Sequence, residues 1–373
     1  MKKIYLTLLI VFTLVATPAM AATKKAVSTP AKPVYKATAP KDYLPITWAS
    51  APGITSFFRA PKNSGTIDFL TRIYLPQNQI NFILATSTPI DLSLANQLSN
   101  SQNATSSQDI KTNSTIVTND LSAFHNLSFQ RFGAEIGKTI DPTIKFLFDV
   151  AFFNMKSPFS DLSMAAKYSV GGTTTITSGS RSVPDMEKPR RMLIINNQTG
   201  KAMIKDFDSA AFIDNKNGDQ AIEGFDPTVA KTDTGNGGAS RLFLGVSSDG
   251  QELTVYCSQL ATVQEASDAL TAAGISPDNQ FEADGGGSAS CGYNLPGQFF
   301  VEPMRTLPLL MGAKTIVARG KVTTDNINVR KGPSTKNPIV MKLAKGTAVQ
   351  AYEEKNGWYR IGDGEWILKT LIK

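Results

Sequence analysis

The residues best placed to do chemistry in this 373-residue chain are an acid, three glycines and a serine in one run, Asn279-Gln-Phe-Glu-Ala-Asp284-Gly-Gly-Gly-Ser288. Phe281 and Ala283 alternate with polar neighbours as a strand does, so the pattern predicts a short strand that delivers Asp284 to its end, with Glu282 two residues before it. Three consecutive glycines are poor in any regular element because each loses the most backbone entropy on ordering. They suit a place where a ligand or another backbone comes close, or where φ must be positive. A carboxylate beside open backbone amides is the equipment for binding an anion or for supporting a developing positive charge. A glycine-rich turn with a solvated Asp is the competing interpretation.

The elements that position this acid can be read over the preceding forty residues. Arg241-Leu-Phe-Leu-Gly-Val246 and Glu252-Leu-Thr-Val-Tyr-Cys257 are strand candidates joined through Asp249-Gly250, a hairpin signal. Thr262-Val-Gln-Glu265 is a capping box, and Val263, Ala266, Leu270 and Ala273 fall at helical spacing before Gly274. The unit is therefore strand, strand, helix, strand. If the helix crosses over, the third strand runs parallel to the second and antiparallel to the first. That topology places Arg241, Cys257 and Asp284 at one end of the sheet. A salt bridge in which Arg241 only orients Asp284 is the structural alternative to a catalytic role.

These residues resemble the phosphodiester glycosidase family. The resemblance is carried by Arg241 ahead of Gly245, the Asp249-Gly250 turn, the capped helix ending at Gly274, and Asp284-Gly-Gly-Gly-Ser288. Asp149-Val-Ala-Phe-Phe-Asn154 is similar to the family's upstream motif, with Asp149 where the family usually has Asn. The resemblance spans Tyr74 to Ala318 and is most specific in its last third and around Phe152 and Phe153. It implies hydrolysis at an anomeric phosphodiester, with Asp284, Arg241 and Asp149 as catalytic residues. Gly285, Gly286, Gly287, Ser288, Asn154 and Glu282 would contact substrate. Such a bond breaks through an oxocarbenium-like state that favours a nearby carboxylate. Its leaving group is already a weakly basic phosphate, so a guanidinium that neutralises it serves better than a strong general acid.

Other chemistries are weakened by composition. The single histidine, His125, lies among polar residues and reads as a surface residue, so a His-rich zinc site is impossible and Ser-His-Asp or Cys-His machinery would rest on it alone. Gly286-Gly-Ser-Ala-Ser290 lacks the last glycine of a nucleophile elbow. No P-loop or dinucleotide fingerprint occurs, and the motifs call for no cofactor and no metal. The net charge of +7 is concentrated early, in Lys2, Lys3, Lys24, Lys25, Lys32, Lys36 and Lys41. No basic face interleaved with aromatics points to nucleic acid.

Met1-Lys2-Lys3, the apolar run from Ile4 to Ala16 and Ala19-Met20-Ala21 form a secretory leader over residues 1–21, too short to insert stably in a membrane. Residues 22–42, rich in Pro, Lys and Ala, read as an extended linker. A phosphodiester glycosidase-like domain with a mixed sheet is expected over 43–318, strand-rich from Thr66 to Leu75, Ile80 to Leu84, Ile144 to Asn154, Thr173 to Thr177 and Arg191 to Asn196. Asn196 is followed by a turn at Asn197-Gln-Thr-Gly200, and an exposed loop is expected from Asn96 to Asn119.

From residue 319 the sequence changes to short strands and Gly/Pro turns. Asn326-Ile-Asn-Val-Arg330-Lys-Gly332-Pro333, Leu343-Ala-Lys-Gly346-Thr, Asn356-Gly-Trp358-Tyr-Arg-Ile361 and Gly364-Glu-Trp366-Ile resemble the bacterial SH3 domain, with Ile327, Val329, Val349, Ala351 and Trp358 inward. That resemblance implies a small all-β barrel binding peptidoglycan or another wall component, or else a spacer that folds alone. The expectation is an α+β, secreted enzyme acting on a sugar-phosphate or envelope glycan. A non-catalytic envelope-binding protein and a wall glycoside hydrolase are the alternatives. Cys257 and Cys291, the only cysteines, are expected to form a disulfide, because both fall at the same sheet end in a chain bound for an oxidising compartment.

Overall fold

The computed structural model describes residues 35, 37–59, 66–84, 110–112, 115–118, 123–125, 127–128, 141, 143–150, 152–156, 159–162, 164–170, 173–177, 189–214, 218–227, 238–294, 299–303, 306–307, 309–362 and 364–373. The chain divides into units 1–34 and 35–373, and every described residue lies in the second. The leader and most of the expected linker fall outside the described residues, as does most of the loop expected from Asn96 to Asn119. Two short strands, Ile110–Thr112 and Thr115–Thr118, lie inside that loop. Tyr35, read as linker, stacks on Tyr74 with ring centroids 4.4 Å apart.

The expected strand, strand, helix, strand unit forms the centre of the molecule. It consists of β1 (Ala239–Val246), β2 (Glu252–Ala261), α1 (Val263–Ala272) and β3 (Gln280–Gly285). The turn between β1 and β2 closes at Gly250, with φ of +74° and its amide donating to the Ser247 carbonyl at 2.8 Å. Helix α1 starts at a complete capping box of Thr262 and Glu265. It ends in a Schellman arrangement, in which Ile275 N donates to Leu270 O at 3.0 Å and Gly274 N to Thr271 O at 2.9 Å. Gly274 holds φ of +88°, a conformation open to glycine at little cost.

Because α1 crosses over β1, β3 pairs antiparallel with β1 on the side opposite β2. A 13-stranded sheet grows outward from this centre. On the β2 side are Asp68–Tyr74, Ile54–Arg59 and Leu44–Ala51; on the β3 side, Gln220–Phe225 leads to the remaining strands. Among the described strands one pairing is parallel, Thr173–Thr177 with Thr115–Thr118, which makes the sheet mixed. A second sheet of five strands contains β4 (Cys291–Tyr293) paired with Ile144–Phe148, which pairs on its other side with Leu309–Thr315.

The main core lies between the two sheets. Leu242, Leu244, Cys257, Phe281 and Ala283 from the large sheet meet Phe146, Phe148, Val301 and Met311 from the smaller one. The opposite face of the large sheet carries Phe57, Leu70, Phe243 and Tyr256, and α1 covers them with Ala266, Ala269 and Leu270. A fully buried leucine contributes about 2 kcal/mol through removal of apolar surface from water, and α1 therefore holds its place by Leu270 more than by helix propensity. The expected α+β class holds only loosely, since strands dominate and helices are few.

The C-terminal strands, from Ala318–Lys321 onward, form a small barrel in which Val329 and Ile367 are wholly buried and Ile327, Trp358 and Trp366 nearly so. It sits against the rest of the same compact unit. Arg319 donates from Nη1 to the carbonyls of Asn197 and Gln198 at 3.2 and 2.9 Å, and from Nη2 to Leu75 O at 3.2 Å. Gln350 Nε2 donates to Asn197 O at 2.6 Å. Asn197 is itself fixed, accepting from Ile80 N at 2.9 Å and donating to Ile80 O at 2.7 Å.

Cys257 and Cys291 are disulfide-bonded, joining β2 of the large sheet to β4 of the small one with Cα atoms 6.4 Å apart. Closing a 34-residue separation contributes about 3 to 4 kcal/mol in the chain-entropy model. A Cys257→Ala, Cys291→Ala double variant is expected to lose stability of that order in urea titrations, and the native chain, denatured without reductant, is expected to show no alkylatable thiol.

A second prediction concerns Lys167, which is wholly buried and donates from Nζ to Asp214 O at 3.1 Å. Desolvation pushes its ammonium down to about 8, against the opposing pull of Asp214 and Asp219. The unfolded chain then binds more protons than the folded one between pH 8 and the ordinary lysine value, so stability rises with pH through that window. Lys167→Met is expected to remove this rise in thermal melts recorded across it.

Candidate active site

The pairing of β1 with β3 decides which way the acids point. Phe243 opposes Glu282, but the next pair is Leu242 with Asp284, so Ala283 has no opposite number and forms a β-bulge. Leu242 belongs to the core between the sheets and Phe243 to the face covered by α1. Directly opposed residues share a face. Glu282 therefore lies on the helix-covered face, whereas the bulge turns Asp284 toward the second sheet. Without the extra residue, strict alternation would have put both acids on one face.

Arg241 follows Glu282 rather than the topology's simplest expectation. Its Nη1 pairs with Glu282 Oε1 at 2.8 Å and its Nε donates to Ala261 O at 3.3 Å. Both side chains are largely shielded, 12% and 5% exposed, so the pair is strengthened by its surroundings and fixes the guanidinium plane. Gly285 opposes Arg241. Its extended backbone would accept any residue, but a Cβ there would stand 3.1 Å from Arg241 Nη1 and 3.5 Å from Glu282 Oε1. The requirement at Gly285 is for space.

The glycine run is part strand and part turn. Gly285 ends β3, and Gly286–Ser288 forms a 3-10 turn closed by Ala289 N donating to Gly286 O at 3.2 Å. Gly286 holds φ of +74°, which disfavours any side chain. The Gly285 amide is engaged with Asp284 Oδ1 at 2.8 Å, so an anion-binding role for the run falls to Gly286 and Gly287. Ser288 is buried at the turn's end.

The upstream motif reaches the same place by two routes. Asp149 N donates to Ser290 O at 3.0 Å as Phe148 pairs with Cys291, which puts Asp149 beside the segment leaving the glycine turn. Asp149 is wholly buried, and its Oδ1 accepts from Val150 N at 2.7 Å. Phe152 packs edge-on against Phe225 with centroids 5.1 Å apart, and Phe225 opposes Glu282. Asn154 lies in Phe153–Lys156, paired with Asp161 in a separate small sheet, and its side chain is outside the described residues, as is that of His125.

Phe225 and Gly224 are site components that no sequence motif announced. A Cβ on Gly224 would stand 2.3 Å from Glu282 O, so the glycine lets the neighbouring strand close on β3. Among the described residues no group of three or more His, Cys, Asp and Glu could hold a metal. Tyr256, on the helix-covered face, is pushed far above its ordinary value by burial, with Asp68 and Tyr43 adding to the effect, and remains a neutral phenol.

Residues 325–373 match the family model for the bacterial SH3 domain. No curated protein matches the chain. Among solved structures, the chain is similar to the zebrafish N-acetylglucosamine-1-phosphodiester alpha-N-acetylglucosaminidase catalytic domain auto-inhibited by its pro-peptide. That likeness has a TM-score of 0.43 at 13% identity and covers 71% of this chain and 84% of that one. A hypothetical protein from Synechocystis is similar with a TM-score of 0.30 at 13% identity, covering 73% of this chain and 64% of the other.

The shielded pair makes a direct prediction. Glu282→Ala leaves the Arg241 guanidinium buried without that counter-ion and is expected to cost about 3 kcal/mol in denaturant unfolding. Gly285→Ala, which only crowds the pair, is expected to cost less; the ranking is checked by urea midpoints of the two variants.

Proposed function

We propose that this protein is an exported hydrolase that cleaves the glycosidic bond of a sugar phosphodiester, in a cell-envelope glycopolymer, with its C-terminal SH3-type barrel holding it at the wall. The observation that carries the proposal is the placement at one sheet end of a guanidinium held by Glu282 on one face, an acid turned by a bulge toward the other face, and, directly after the acid, a glycine turn with a left-handed Gly286.

The chemistry follows from what each group can do. The phosphate of an anomeric phosphodiester leaves as an anion, so the bond breaks without full protonation of the leaving oxygen. Arg241, held at Nε and Nη1, offers a preorganised positive charge to that anion at no cost of reorganisation. The amides of Gly286 and Gly287 lie at the turn where a phosphate or sugar oxygen can approach without meeting a side chain. Positive charge grows on the ring as the bond stretches, and Asp284 supplies the compensating carboxylate, either to the sugar or to an attacking water. Asp149 and Asn154 are assigned to the same centre on the motif resemblance.

One observation favours a second reading, a binding protein without turnover. Asp284 is only 2% exposed and Asp149 is wholly buried, so a substrate must displace packing to reach either carboxylate. Asp284→Asn keeps the shape and removes the charge. It is expected to lower kcat on a sugar phosphodiester by a factor on the order of hundreds while leaving the melting temperature nearly unchanged. Arg241→Lys loses the planar fork and is expected to weaken substrate binding and turnover together. Near-wild-type turnover by Asp284→Asn would remove the acid from the mechanism, and binding without turnover by the wild type would establish the second reading.

A further inference from the structure

The cleft between the barrel and the preceding domain is built from both. Its volume is about 390 Å³, within the range of small-ligand sites. Gln198 and Asp219 form part of one wall, and Met341, Leu343 and Glu365 part of the other, with Arg319 contributing to the lining. The lining's charge runs against that of the chain. Asp219 and Glu365 are its two acids, Asp219 accepting from Asn197 N at 2.9 Å and from Asn197 Nδ2 at 3.1 Å, while Arg319 is the single cation among the lining residues and spends its donors on the carbonyls of Leu75, Asn197 and Gln198. Within the lining the two acids outnumber the one cation, a local balance opposite in sign to the chain's net charge of +7.

Among the described strands, the barrel wall of the cleft is also a sheet edge. Strand β5 (Ile339–Leu343) is the terminal strand of its five-stranded sheet, pairing on one side with Ile327–Arg330. Three consecutive apolar residues on it are exposed, Ile339, Val340 and Met341, at 48%, 46% and 39%. An exposed apolar edge presents backbone donors and acceptors in the spacing that an extended peptide matches. A sugar ring would want an aromatic face instead. The single aromatic ring of the lining, Tyr352, is already covered by Lys314 Nζ at 4.5 Å from its centroid.

We infer that this cleft binds an extended peptide bearing a free amino group. The peptide adds to the outer edge of β5 and directs its ammonium toward Glu365 and Asp219. The inference rests on the wall-binding part of the proposed function and gives that part a composite site, which the barrel alone would not reproduce because Asp219 and Gln198 come from the other domain. Binding at the cleft is separate from the glycine turn and its chemistry.

The test uses the full chain and a fluorescein-labelled alanine-rich hexapeptide with one central lysine, followed by fluorescence anisotropy. Acetylating the lysine, Met341→Asp and Glu365→Gln are each expected to weaken binding at least tenfold, with melting temperatures within a degree or two of wild type. Sugar-phosphodiester turnover in the Met341→Asp protein is expected to be unchanged. Equal binding of the acetylated peptide, or no effect of either variant, would overturn the inference, as would an N-acetylglucosamine oligosaccharide that competes for the cleft. If intact wall is still bound by both variants as by the wild type, wall binding stands and the cleft assignment falls. Peptide binding that is lost in the variants while the wild type ignores intact wall would uphold the cleft and remove the wall reading.

Discussion

The pairing of β1 with β3, with Ala283 left over, is the constraint on which the site depends. One extra residue sends Glu282 to the helix-covered face, where it meets Arg241, and turns Asp284 toward the second sheet. A charge-assisted pair then forms without consuming Asp284 in the same bond. The glycines follow as consequences. Gly285 leaves room for the pair, Gly286 takes the backbone through positive φ, and Gly224 allows the next strand to approach. The disulfide from β2 to β4 ties the two sheets close to this point, so the acid-bearing strand end is braced from both layers.

Most of the framework was legible because local signals agreed. The Asp249-Gly250 turn, the capping box at Thr262 and Glu265 and the Gly274 stop each fix a boundary through a few adjacent residues, and a crossover connection then sets the directions of the strands and the residues that share a sheet end. The disulfide follows from that shared end; the order of the strands does not. The bulge was not legible, because a strand written Phe281-Glu-Ala-Asp284 alternates perfectly and nothing local says that Ala283 will be skipped. For the same reason the pairing of Glu282 with Arg241 is not legible, although the family resemblance implies that Glu282 contacts substrate. Phe225 and Gly224 carry no motif, and they matter only because tertiary pairing puts them against Glu282.

The barrel shows the reverse case. Of the residues that alternation turns inward, Ile327, Val329, Ala351 and Trp358 lie buried and Val349 is partly buried. Its seat on the preceding domain depends on the carbonyls of Asn197 and Gln198, backbone groups that every residue type carries and no sequence pattern marks. Arg319 and Gln350 fix the barrel's position through those carbonyls, and the cleft beside them is lined by residues from both sides of that contact. The module is thus placed by hydrogen bonds as well as by chain connectivity.

The central claim is that this site breaks the bond between an anomeric carbon and a phosphate oxygen. The most direct measurement is product analysis after incubating the purified chain with a defined sugar phosphodiester in oxygen-18 water, read by phosphorus NMR and mass spectrometry. The account predicts a free reducing sugar that carries the label and an unlabelled phosphate monoester, since water attacks carbon. Label in the phosphate, with release of a sugar 1-phosphate, would mean attack at phosphorus and would contradict it.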